Sequence, residues 1–386
     1  METLVIDNDI KIEKMENVQK STPEVLGNLV TILEEQKKAK KDYVVPAGSI
    51  LYNGTTGMLD MINGFHKEQY VVSEHTHNQI ATKLEIPTGY YKRMLTGYPQ
   101  LLADNINGWL SKKEKTNYLL RTFNYPDKDK IVRALLSNKY NIIDNWDVLV
   151  AALEAIKKTG VHVEIIKAEV TDSRMYIHVV APEIHIEATK LLDGYLENLP
   201  NAKTNNGIIS GMVISNSEIG LSRFEISARA QILRCQNGMH DRNAAFKKTH
   251  LGAKMEEGEI EWSQNTKNKN YELIIAQVQD AVKRYLSMDY LGQLTTRLER
   301  YKESVIEQPI QIIELVNQEL GINEVHAASV LKHFLKDGDE SVFGMMNAYT
   351  RVSQKLDADS QYEVESKIFD LLPKMEQWNN KLLSAN

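Results

Sequence analysis

"IIDNWDVLVAALEAIKKTGVHVEIIKAEV", residues 142 to 170, contains one change of period, and that change decides the fold class. In its first half Trp146, Leu149, Val150, Leu153 and Ile156 recur at the three- and four-residue spacing of one helical face. Asp144 stands where an N-cap belongs, Lys157 and Lys158 fall in the last turn, and Gly160 supplies the residue that closes a helix in the left-handed region. After Gly160 the spacing drops to two. Val161, Val163 and Ile165 alternate with polar neighbours, "TDS" at 171 to 173 reads as a turn, and "RMYIHVVAP" reads as the returning strand. A helix followed at once by a hairpin predicts an antiparallel α+β unit.

Downstream, "PEIHIEATKLLDGYLENLP" reads as a short helix and "NAKTNNG" as a loop, before two more strands, "IISGMVISN" and "RFEISARAQILRC". On the last of these, Phe224, Ile226, Ala228, Ala230 and Ile232 are expected to face the core. Arg223, Glu225, Ser227, Arg229 and Gln231 are expected to face solvent, giving the small sheet one polar face. Beyond it, "YELIIAQVQDAVKRYLSMDYLGQLTTRLERY", "QPIQIIELVNQELG", "NEVHAASVLKHFL" and "SQYEVESKIFDLLPKMEQWNNKLL" keep apolar stripes with short connections, which predicts a helical bundle.

Upstream, the chain reads as mainly helical. "STPEVLGNLVTILEEQKKAKK" places Ser21 or Thr22, Pro23 and Glu24 at a helix start and lysines at its end. "HNQIATKLEIPTGYYKRMLTG" carries Ile80, Leu84 and Ile86 at helical spacing, stops at Pro87, and restarts with Tyr90, Tyr91 and Met94. Helix, tight turn and helix is the pattern of a DNA-reading motif, in which Thr88, Tyr91, Lys92 and Arg93 would face a duplex; two packed core helices give the same pattern. The expected organisation is a helical N-terminal region (1–125), a central α+β domain with a small antiparallel sheet (126–262) and a C-terminal helical region (263–386).

The composition sets bounds on function. With 386 residues, 42% hydrophobic and 25% charged, the chain can bury a sizeable core. It has no apolar run of about 18 residues, and "METLVIDNDIKIEK" is acidic where a signal peptide is basic, so no membrane and a cytoplasmic location are expected. Cys235, the single cysteine, permits neither an internal disulfide nor a Cys-based zinc site. The net charge of -6 is unevenly spread: from Met255 onward 22 acids stand against 14 bases, which leaves +2 on residues 1 to 254.

Glycine-rich phosphate loops, a paired-histidine zinc motif and a nucleophile elbow are all absent from the sequence, and no cofactor or metal is expected. "EHTH" sets His75 and His77 two apart without a third ligand in pattern, as surface or helix-start residues do. The richest stretch runs from 216 to 254, and two readings compete for it. In the binding reading, Arg223, Arg229 and Arg234 line the polar sheet face. Arg242, Lys247, Lys248, His250 and Lys254 then continue along a loop, and Asn237-Gly238 presents backbone amides at a turn. Between 234 and 254, five Lys or Arg oppose one acid. In the catalytic reading, His240 and Asp241 with Glu218 form an acid-base or metal site and Arg234 holds an anion. "EEGEIE" at 256 to 261 supplies four carboxylates that would pair with the basic loop if the charges are merely structural. Tyr90, Tyr91 and Phe246 are the aromatic groups expected to stack on bases.

The blocks "QIATKLEIPTGYYKRM", "LLADNINGWL", "YLLRTFN", "RALLSNKYNIIDNWDVL", "SRMYIHVVAP", "VISNSEIGLSRFEI" and "RCQNGM" occur in this order between about 79 and 254. In that order the chain resembles a phage and plasmid-like protein family catalogued as a domain of unknown function. The C-terminal helices lie outside the likeness, and Glu85 replaces the glycine of that family's "LGIP". The resemblance implies a protein of bacteriophages, plasmids or prophages acting in the host cytoplasm, and supplies no activity. The central order is also loosely similar to the core of phage single-strand annealing proteins. The expectation is therefore a non-enzymatic nucleic-acid-binding protein of replication or recombination, preferring single-stranded DNA and working as a homo-oligomer. A protein-binding inhibitor or scaffold, holding a host or phage protein with the acidic C-terminal third, is the alternative. A metal-assisted hydrolase using Glu218, His240 and Asp241 is the third reading.

Overall fold

The computed structural model describes residues 22–63, 66–197, 206–234, 238–248, 258–259, 263–322 and 324–384. In chain order these form α1 (Thr22–Ala39), β1 (Lys40–Pro46), β2 (Ile50–Tyr52), β3 (Met58–Asn63), β4 (His66–Val72), α2 (Glu74–Lys83), α3 (Thr88–Gly97), α4 (Pro99–Lys112), β5 (Asn117–Phe123) and β6 (Ile131–Ser137). There follow α5 (Asn145–Thr159), β7 (Glu164–Val170), β8 (Met175–Glu187), the single turn α6 (Thr189–Leu192), β9 (Gly207–Asn216), β10 (Phe224–Ile232), β11 (Gly238–Lys248) and β12 (Gly258–Glu259). The chain closes with α7 (Gln264–Tyr285), α8 (Met288–Lys302), α9 (Pro309–Leu320), α10 (Glu324–Lys336), α11 (Val342–Ser353), α12 (Ala358–Asp370) and α13 (Leu372–Ser384). The class is α+β, with the helical run expected at the C-terminus. Among the described residues no helix is long and apolar enough to cross a membrane.

Two sheets organise these elements. The first has seven strands in the order β12-β1-β5-β6-β4-β3-β2. It is antiparallel except where β4 and β6 run parallel, Val71 beside Ile131 and Val72 beside Val132. The helices that carry the crossover between those two strands, α2 to α4, pack on one face, where Ile80, Tyr91, Met94, Leu102 and Ile106 meet Tyr52, Leu59, Tyr70 and Leu120. The second sheet is antiparallel, in the order β11-β10-β9-β8-β7. Its inner face, with Ile177, Val179, Met212, Ile214, Phe224, Ile226 and Ala228, packs under α1, α5 and α7. Ala230 and Ile232 extend the same face into a third core, built by α8, α9, α11 and α12.

The helix read from residues 142 to 170 spans Asn145–Thr159, and Gly160 closes it at φ 72°. The strand expected from Val161 begins at Glu164. The short helix expected near 182 to 200 is only the single turn α6, because β8 continues through Pro182 to Glu187 as sheet. Among the described residues up to 125 there are helices where the sequence places them, the last expected one divided at Tyr98 into α3 and α4, and also five strands that the sequence did not announce. β5 shows why: six of the seven residues of "NYLLRTF" are buried, so the strand has no polar alternation to betray it. β5 also pairs with β6 from the far side of residue 125.

Candidate nucleic-acid interface

The alternation along β10 holds on the core side and fails on the other. Glu225, Ser227, Arg229 and Gln231 are buried as well, because α12 packs over that face. Arg229 is 5% exposed. Its Nη1 donates to Gln231 Oε1 at 2.9 Å. The guanidinium lies so close to Gly238 that a Cβ there would overlap it. Burial pulls its pKa down against the opposing field of Glu365. Arg234 donates to the carbonyls of Leu192 at 2.6 Å and Tyr195 at 2.5 Å, and to Asn206, so it braces the α6 turn instead of facing a ligand.

The remaining expected contacts are scattered. Arg223 is exposed at the start of β10, while Lys247 lies 3.8 Å from Glu225 across the β10–β11 pair. Arg242 and Lys248 lie within β11, whereas Asn237, His250 and Lys254 fall outside the described residues. Of "EEGEIE" only Gly258 and Glu259 are described, and their backbone pairs with Val44 and Tyr43 of β1. Phe246 packs on Tyr285, ring centroids 5.7 Å apart, and Tyr91 is buried. Neither ring can stack on a base from there.

The catalytic triplet is not assembled either. Glu218 accepts from Arg133 Nη2 at 2.8 Å and from the Asn145 amide at 2.6 Å. His240 lies beneath α12, its Nε2 3.0 Å from Glu365 Oε2. Asp241, on the opposite side of the strand, accepts from Arg297 at 2.5 Å and Tyr290 Oη at 3.2 Å. Among the described residues no group of three His, Cys, Asp or Glu is placed to hold a metal.

Glu218 belongs to a seam that joins the two sheets. Arg121, fully buried in β5, donates from Nε and Nη2 to both oxygens of Asp42 at 3.0 and 3.1 Å. The same guanidinium donates to Asp144 Oδ1 at 2.6 Å and to the Glu218 carbonyl at 2.7 Å. Lys40 completes the Asp144 carboxylate. Asp144 thus occupies the N-cap position of α5 without capping it, and Glu218 caps Asn145 in its place. Burial alone would raise the Asp144 carboxyl; Arg121 and Lys40 hold it well below its usual range. Three cations meet three carboxylates here, and the seam is cohesion, not chemistry.

Among the described residues, exposed aromatic side chains occur on α3, on α4 and between them. Ser73 caps α2, accepting from the Thr76 amide at 3.2 Å. The chain then reverses at Glu85, which sits at φ 59°, in the left-handed region that favours glycine. Tyr91 and Met94 turn inward. Tyr91 Oη meets His77 Nδ1 at 2.8 Å, and burial pushes His77 down to about 4, so the ring is neutral. Asn105 of α4 donates to Met94 Sδ at 3.6 Å, fixing α4 against α3.

This packing turns Thr88, Tyr90, Lys92 and Arg93 outward from α3, and Leu101, Trp109 and Lys112 outward from α4, with Tyr98 between them. Tyr90, Tyr98 and Trp109 are 46%, 55% and 48% exposed, and they are the exposed aromatic residues among those described. Lys92, Arg93 and Lys112 make no ion pair among the described residues. Of the earlier expectations, Tyr90, Lys92 and Arg93 belong to this face. Tyr98 and Trp109 were missed, although the apolar stripe Leu102, Ile106 and Leu110 already places Trp109 off the buried side of α4.

No family model, no curated protein and no solved structure matches the chain. Its function is argued from its own residues.

Proposed function

We propose that this protein binds single-stranded nucleic acid through the outward face of α3 and α4. The observation that carries the reading is that two successive helices and the turn between them expose the three aromatics, together with cations that no carboxylate engages among the described residues. Stacking a base on an aromatic side chain contributes about 1–3 kcal/mol with little regard to sequence, and neighbouring cations track the phosphates. Between Lys83 and Lys115 six cations stand against three acids, a local excess inside a chain of net charge -6. Such a face suits splayed bases better than a paired duplex, whose rings are stacked on one another.

Fluorescence anisotropy with labelled single-stranded and duplex oligonucleotides at two salt concentrations tests this. Tyr90→Ala with Trp109→Ala should weaken single-strand binding at least tenfold. Lys92→Ala, Arg93→Ala and Lys112→Ala together should flatten the salt dependence by about 2 in log-log slope, from roughly 0.7 per lost phosphate contact. Absence of binding at low salt, or binding indifferent to both sets, would refute it.

A further inference from the structure

The outer face of the five-stranded sheet is covered by α12, whose acidic side chains meet its polar groups. Asp359 at the start of α12 receives three hydroxyls: Tyr176 Oη at 2.6 Å, Ser173 Oγ at 2.5 Å and Thr171 Oγ1 at 3.0 Å. One turn on, Glu363 accepts from Arg174 Nη1 at 2.7 Å. Glu365 meets His240, and Gln361 accepts from Lys167 Nζ at 2.9 Å. Among these groups lies the ring of Tyr362, 4.9 Å from Tyr176 and 5.2 Å from His240, with Val213 of β9 beneath it. The sheet therefore offers hydroxyls, a guanidinium and an imidazole to carboxylates, an ammonium to an amide oxygen, and two rings, Tyr176 tilted and His240 edge-on, to a third.

A nucleotide presents the same pair of features, an oxyanion and a planar ring a few ångströms apart. Arg229 adds an independent sign. It is buried on this face with its Nε lacking an acceptor, and among the described residues no carboxylate stands within ion-pair distance. Glu365 acts on it only through space: its Oε1 accepts from Gln361, and its Oε2 lies 3.0 Å from His240 Nε2 without a hydrogen bond. A buried guanidinium in that state costs stability, and an anionic ligand would compensate it.

We infer that this sheet face is a second binding face for single-stranded nucleic acid, and that α12 is its built-in competitor, with Asp359, Tyr362, Glu363 and Glu365 in the places of phosphates and base. The inference rests on the nucleic-acid reading for its ligand and on none of the residues of α3 or α4. Binding at this face requires α12 to leave it, so the two compete.

The test uses the full chain carrying Tyr90→Ala, Trp109→Ala, Lys92→Ala, Arg93→Ala and Lys112→Ala, which removes both the rings and the cations of the first face. Into it go Asp359→Asn, Glu363→Gln and Glu365→Gln, read by hydrogen exchange over residues 358 to 370 and by anisotropy with a labelled 20-nucleotide single strand. Faster exchange with at least a tenfold gain in affinity is expected, and adding Arg174→Ala and Lys167→Ala should remove the gain. Unchanged exchange, faster exchange without a gain, or a gain that survives the last two replacements would each overturn the inference. Should the neutralised variant fail to fold, the unmodified protein decides: exchange in 358 to 370 must rise at least threefold when the oligonucleotide saturates, and unaltered exchange refutes the competition. A gain here with no effect of the α3–α4 replacements on the parent protein would discard the first reading and keep this one.

Discussion

The seam between the sheets and the space beneath α12 both bury an arginine, and they treat it differently. At the seam, Arg121 has both oxygens of Asp42, one of Asp144 and the Glu218 carbonyl within 2.6 to 3.1 Å, and these partners come from three separate parts of the chain. Beneath α12, Arg229 holds one amide oxygen, and the carboxylates Asp359, Glu363 and Glu365 all arrive on a single helix. A network drawn from many elements can be broken only by unfolding. One whose acids share an element can be relieved by moving that element.

The largest expected contrast is between the two arginines themselves. Arg121→Met leaves Lys40 as the one cation shared by Asp42 and Asp144 and should cost about 3–5 kcal/mol in urea unfolding, whereas Arg229→Met should cost no more than about 1 kcal/mol. Equal losses would erase the distinction.

Acid should separate the regions next. Burial, with Arg229 and His240 as further causes for His178 and Arg229 for His240, lowers both ring pKa values below the ordinary 6.5. The folded state therefore binds fewer protons than the unfolded chain, and stability that is complete above pH 6.5 is lost as pH falls below it, by up to about 2 kcal/mol per ring at pH 5. Asp144 is depressed, so its contribution persists until pH falls below 3.8. Hydrogen exchange at pH 7 and pH 5 should show α12 loosening while β5 and the start of α5 stay protected; the reverse order would break the comparison.

Gly238→Ala should cost about 1–3 kcal/mol, since the new methyl overlaps the Arg229 guanidinium, and adding Arg229→Ala should recover most of the loss. A thermal-unfolding double-mutant cycle measures that coupling, and simple additivity would show that the guanidinium is free to move aside. The smallest effect lies outside both regions and separates backbone from charge. Glu85→Gly relieves a left-handed residue and should stabilise by about 1 kcal/mol, with little lost from its exposed pair with Lys113.

Much of the fold was legible locally. The period change at Gly160, the strands at 207–216 and 224–232, and the paired helices around Pro87 all follow from spacing and capping. What spacing cannot show is a covering layer: the alternation of Arg229 and Ser227 with Ala228 and Ile226 says which residues share a face, not that α12, 130 residues on, lies over it. For the same reason Arg229 and Arg234 looked like exposed phosphate contacts and are buried. Asp144 was read as a cap from its position, because its partners Lys40 and Arg121 come from strands that leave no local trace. The α3 half of the proposed interface was legible because its residues are neighbours in sequence.

The first sheet has a further consequence in time. β1 is made early, yet among the described residues its outer edge is paired by Gly258 and Glu259. During synthesis the ribosome must deliver some two hundred more residues, the whole second sheet among them, before that edge closes. The nascent protein therefore spends most of its elongation with an open strand edge, the feature most apt to recruit a neighbouring chain, so elongation speed and chaperone cover over this interval govern the yield of native protein.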